Sequence, residues 1–66
     1  MDPKIMGKKL RELRGTHSLI EVANAVGVCQ SAISMYEAGE RVPRDAVKVK
    51  LANFFGVTVE SIFFAD

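Results

Sequence analysis

Gln30, Ser31, Ser34 and Met35 form the most suggestive group of side chains in this sequence. On a helix, positions three and four apart are neighbours, so these four share one outward face. A glutamine amide donates and accepts at once, which matches adenine N6 and N7 in the major groove of DNA. Serines are short, so they let a helix come close and can bond bases or phosphates. Met35 offers an apolar contact to a thymine methyl or a sugar. No other constellation competes. One cysteine and one histidine leave no metal-ligand cluster. His17 has no serine, cysteine or carboxylate placed to form a triad, and no glycine loop cradles a phosphate. The expectation is a protein that is not an enzyme, with no cofactor, metal or small-molecule ligand.

The elements that must position these residues read as five helices. No stretch alternates with β-branched enrichment between hairpin turns, so the class is all-α. Helix one runs from Pro3 or Lys4 to Arg14, burying Met6, Leu10 and Leu13 as one stripe, and Gly15 ends it. Ser18-Leu19-Ile20-Glu21 has the pattern of a capping box and opens helix two. Leu19, Val22, Ala23 and Val26 form its buried stripe, Ala23 being small enough for a close helix crossing. Gly27 permits a tight turn into helix three, from Cys29 or Gln30 to about Ala38, which Gly39 stops. Pro43 pre-sets the first turn of helix four, whose apolar residues are Val47, Leu51, Ala52, Phe54 and Phe55. Gly56 ends it. Thr58 caps helix five, Val59 to about Phe64, whose Ile62 and Phe63 close the core.

Composition bounds the rest. A 66-residue chain supports one domain, 1–66, with one small core. It buries only about 60% of the surface its unfolded state exposes, so close packing or oligomerisation must help. At 48% apolar it is too hydrophobic to be disordered. No apolar run approaches the roughly 20 residues of a membrane span. The first residues lack the apolar stretch of a secretion signal, and cysteine usage points to a reducing cytoplasm. Net charge is only +1, but all nine basic side chains lie in residues 1–50, beside six acidic ones. Residues 51–66 carry Glu60 and Asp66 alone. The body is basic and the end acidic, a weak pointer to a polyanionic partner.

Two helices joined by a short glycine turn within five helices match a helix-turn-helix. The chain resembles the Cro/C1-type (XRE) family of phage repressors and bacterial regulators, whose fold is a five-helix, lambda-repressor-like DNA-binding domain. The resemblance rests on Met6-Gly7-x-x-Leu10-x-x-Leu13-Arg14. It continues through Ala23-x-x-x-Gly27-Val28-x-Gln30-Ser31-x-Ile33-Ser34-x-Tyr36-Glu37-x-Gly39-x-Arg41-x-Pro43. It resumes at Leu51-Ala52-x-x-Phe55-Gly56-Val57 and Ile62-Phe63, and so covers nearly the whole chain. There are three departures. Leu19 stands where the family usually has a phosphate-contacting glutamine. The connection between the first two helices is about two residues short. Asp45 and Lys48 occupy positions that are usually leucine.

The resemblance implies base readout by Gln30, Ser31 and Ser34; Met35 stands where the family often has Arg or Lys, and its reading is apolar contact with a base or sugar or else partial burial. It also implies phosphate contacts around the helix N-termini at Ser18 and Cys29, and at Arg41 and Arg44. Arg14 is expected to pair with Glu37, a partly buried ion pair orienting helix three, and to be able to reach a phosphate. Oxidation of Cys29 would block binding; the plainer reading is a small residue that happens to carry sulfur. Lys8, Lys9 and Lys48 read as solubility charges. Tyr36 reads as core, and Phe64 as the best candidate for a dimer patch. The implied function is sequence-specific binding of double-stranded DNA by a homodimer on a pseudo-palindromic operator, as a transcriptional repressor without an effector domain. The alternative is a protein-interaction module such as the antitoxin of a toxin–antitoxin pair, with another protein as its main partner.

Overall fold

The structure, a computed structural model, describes residues 2–64, and among them it contains five α-helices and no strand. These are α1 (Pro3–Arg14), α2 (Leu19–Val26), α3 (Gln30–Ala38), α4 (Asp45–Phe55) and α5 (Val59–Phe63). Helix α1 packs on α3 and α5, α2 on α3 and α4, and α4 on α5. One core holds them: Met6 and Leu10 from α1, Val22, Ala23 and Val26 from α2, Ile33 and Tyr36 from α3, Val47 and Leu51 from α4, Ile62 and Phe63 from α5. From α1 to α4 these residues recur at three- or four-residue spacing, which is what one buried face of a helix requires, and the short α5 contributes the adjacent Ile62 and Phe63.

Helix starts are satisfied unevenly. Lys4 N donates to Asp2 Oδ1, Glu21 N to Ser18 Oγ and Ser61 N to Thr58 Oγ1, so α1, α2 and α5 carry side-chain caps. Neither the Cys29 nor the Arg44 side chain caps the N-terminus of its helix, α3 or α4. At the start of α3 the Ala32 and Ile33 N–H groups donate to the Cys29 carbonyl, at 3.1 and 3.4 Å, and no side-chain oxygen caps the turn.

Two crossings decide where α3 sits. At Gly27 the backbone turns through φ 74°, the left-handed region that glycine enters without a Cβ penalty, and α3 follows three residues later. Lys50 places its ammonium over that turn, 3.9 Å from where a Cβ on Gly27 would be. A cation there suits the negative end of the α2 dipole. At Gly7 the issue is space: a Cβ would meet the Glu37 carbonyl oxygen at 2.3 Å and that of Tyr36 at 2.7 Å. Helix α1 therefore touches the backbone at the end of α3, a contact open only to glycine.

Several sequence expectations need correction. The capping box at Ser18 is half formed, because the Glu21 carboxylate turns to His17 Nδ1, 2.9 Å away. Pro43 lies before α4 rather than in its first turn; Arg44 is the N-cap, and Pro43 is buried against the body. Helix α5 ends at Phe63, with Phe64 as its cap. Leu13 and Leu19 lie at the margin of the core, and of the four phenylalanines only Phe63 is fully enclosed. Lys48 is no solubility charge. Its side chain is 15% exposed, with the ammonium 5.6 Å from the Phe63 ring centre and 5.5 Å from that of Phe64. A lysine can occupy a position that reads as core because its stem covers apolar surface while aromatic faces attract its charge.

Candidate nucleic-acid interface

Helix α3 turns Ala32, Ile33 and Tyr36 inward. That leaves Gln30, Ser31 and Ser34 exposed, and Met35 half-buried beside them. Gln30 is the first residue of the helix, so its amide stands at the leading end. None of the three polar side chains is spent on the core.

The orientation of this face is held from behind. Arg14 Nε donates to Glu37 Oε2 at 2.6 Å and Nη2 donates to Oε1 at 3.2 Å, a two-bond fork from α1 to the last turn of α3. Arg14 Nη1 also donates to the His17 carbonyl at 3.0 Å, which ties in the connection to α2. The hydrogen bond to Glu37 raises the Arg14 pKa above its ordinary value; burial opposes this and the Coulomb attraction adds to it. Three of its nitrogens are committed, so Arg14 is first a positioning residue. Any phosphate it meets must use the N–H bonds left over.

Cys29 is exposed, its sulfur 3.2 Å from Ser31 Oγ. That hydroxyl, and after it the Ala32 N–H, lowers the thiol pKa from its ordinary value. Ser18 Oγ accepts the α2 cap bond, yet its O–H can still donate outward. Arg41 and Arg44 are exposed on the segment between α3 and α4. Phe64 is 63% exposed at the far end of the chain, one face against Lys48.

Arg11 is the residue that sequence reading missed. It lies one helical turn before Arg14, is exposed, and has no ion-pair partner among the described residues. With Arg14, Leu19, Ser34, Glu37 and Ala38 it lines a cleft of about 270 Å³ beside the outer face of α3. The three-residue spacing of Arg11 and Arg14 was the available signal. A larger cleft of about 390 Å³, lined by Lys9, Glu12, Leu13, Val57 and Ser61, has no α3 residue in its wall. Among the described residues no group of histidine, cysteine and carboxylate side chains could hold a metal, and no helix is long and apolar enough to cross a membrane.

This arrangement is a helix held by its inner face, with no side-chain cap at its start, its outer face short and polar, Arg11 and Arg14 in the cleft beside it and Arg41 and Arg44 exposed on the segment that follows. It coincides with what comparison shows. A helix-turn-helix family model matches residues 8–62, and the chain belongs to the Cro/C1-type (XRE) helix-turn-helix family of DNA-binding domains. An uncharacterized HTH-type transcriptional regulator of Methanocaldococcus jannaschii is 37% identical over 63 residues, covering 92% of this chain and 96% of that protein. No solved structure matches.

Proposed function

We propose that residues 1–66 act as one DNA-binding unit, a transcriptional repressor that reads a pseudo-palindromic operator as a homodimer. The observation that carries the reading is the exposed face of Gln30, Ser31 and Ser34 on a helix whose start has no side-chain cap. Unpaired N–H groups and the positive end of the helix dipole attract phosphate, which would seat that end against the DNA backbone. Gln30 would then meet an adenine edge, with the serines and Met35 beside it. Ser18, Cys29, Arg41 and Arg44 would set the register through phosphates on either side, and the leftover N–H bonds of Arg14 would add to them. Two copies would place their α3 helices about one helical turn, roughly 34 Å, apart. Repression follows from occupying a site that polymerase needs. The relative's name as a transcriptional regulator supports the same reading. A cytoplasmic location follows from it.

The alternative, a module whose main partner is a protein, is favoured by Leu19, where a DNA-contact residue of the family gives way to an apolar one that would be exposed. Leu19 packs partly on the core, which weakens that support. Selection from a random duplex pool tests the reading. A recovered two-fold symmetric sequence, bound with steep loss of affinity as salt rises, is the expected result. Equal binding to every duplex would refute it.

A further inference from the structure

The cleft beside α3 has an apolar wall that base reading by Gln30 and the serines does not explain. Leu19, the first residue of α2, is half-buried: part of its side chain packs on the core, and part lines the cleft with Ser34 and Ala38. Ser34 and Ala38 are exposed and lie one turn apart on α3, with Gln30 one turn before them. The cleft is therefore a continuation of the base-reading face. Its other wall carries Arg11 and the paired Arg14 and Glu37.

Resting on the DNA-binding reading, we infer that Leu19 is a specificity-determining residue that contacts the 5-methyl group of a thymine lying over Ser34. The Leu19 side chain has no donor or acceptor, so burial of apolar surface is all it can offer a ligand. In the major groove the thymine methyl is the apolar group that distinguishes one base pair from another. Ser34 is too short to fill the cleft, and Ala38 has only a methyl. A base at Ser34 therefore meets leucine carbon on one side. The exposed guanidinium of Arg11 favours the adjoining phosphate, with the leftover N–H bonds of Arg14 beside it, which draws the strand over the cleft. The position is held rigidly. Ser18 caps α2 immediately before Leu19, and a Cβ on a helix tilts toward the N-terminus, here toward the DNA side.

The test starts from the duplex selected out of a random pool and replaces each thymine in turn by deoxyuridine, which removes only the methyl. The expected result is one thymine per half-site at which the native chain loses about three- to five-fold in affinity, the effect of one buried methyl. Leu19→Ala and Leu19→Gln proteins, checked for folding by circular dichroism, should lose nothing further at that thymine. If every uracil substitution is silent, or costs the variants as much as the native chain, the inference fails while DNA recognition stands. If the pool yields no preferred sequence, both fail. Should neither variant fold, the native chain decides through the position of the sensitive thymine. It must be the base crosslinked by a photoreactive leucine analogue placed at residue 19, and crosslinking elsewhere refutes the inference.

Discussion

Arg14 and Glu37 place a charge pair where the side chains are only 20% and 10% exposed. Removing one partner leaves the other poorly solvated, so Glu37→Gln should cost roughly 1–3 kcal/mol, less than a fully buried pair. Urea denaturation would measure it, and an unchanged midpoint would mean the fork is idle. Cys29 supplies a pH test. Its thiol pKa is lowered in the folded chain by the Ser31 hydroxyl and the Ala32 N–H. The stability this lends is present above the unfolded value and is lost as pH falls through the folded one. A thiolate beside a phosphate repels it, so DNA affinity should fall as pH rises through the thiol's range. Cys29→Ser should flatten that part of the profile; parallel profiles would place Cys29 away from the backbone. At this scale the sequence was informative about exposed residues, because helical spacing alone separates Gln30 and Ser34 from Ile33 and Tyr36. It was silent about Lys48, since a lysine between two aromatic rings spells the same as a lysine in water.

The helix crossings put those residues in place. A methyl group on Gly7 would fall 2.3 Å from the Glu37 carbonyl oxygen, so α1 and α3 would have to separate. Gly7→Ala should destabilise by about 2–3 kcal/mol even though alanine favours helices. Thermal unfolding checks this, and a stabilised variant would show the crossing to be looser than described. The five helices were legible because each has periodic apolar residues and a boundary signal: Gly15, Gly27, Gly39 and Gly56 at the ends, Ser18 and Thr58 at the starts. The Asp2 cap and the place of Pro43 were not. Both depend on how a loop runs back over the body, and a linear pattern does not carry that. The Gly7 contact was visible only as part of a family resemblance, because its physical cause is a backbone 30 residues away.

For the whole molecule, charge placement matters more than net charge. A protein of net +1 still releases counterions wherever its arginines meet phosphates. Arg41→Ala and Arg44→Ala should weaken binding about equally for all sequences, each making the salt dependence shallower by about one phosphate. Retained slopes would move the backbone contacts elsewhere. Phe64, 63% exposed, is the proposed dimer contact. Phe64→Ser should shift sedimentation toward monomer and weaken binding to the two-half-site duplex far more than to a single half-site. Unchanged sedimentation would assign the dimer surface to other residues.

The central claim is that the outer face of α3 reads bases. It is tested most directly by the affinity ratio between the selected duplex and a scrambled one, measured for the native chain and for Gln30→Ala. Gln30 is exposed and makes no core contact, so the fold should survive. Gln30→Ala should lower the ratio by about 10- to 100-fold, the worth of a good bidentate base contact, with scrambled-duplex affinity nearly unchanged. An unchanged ratio would contradict the claim.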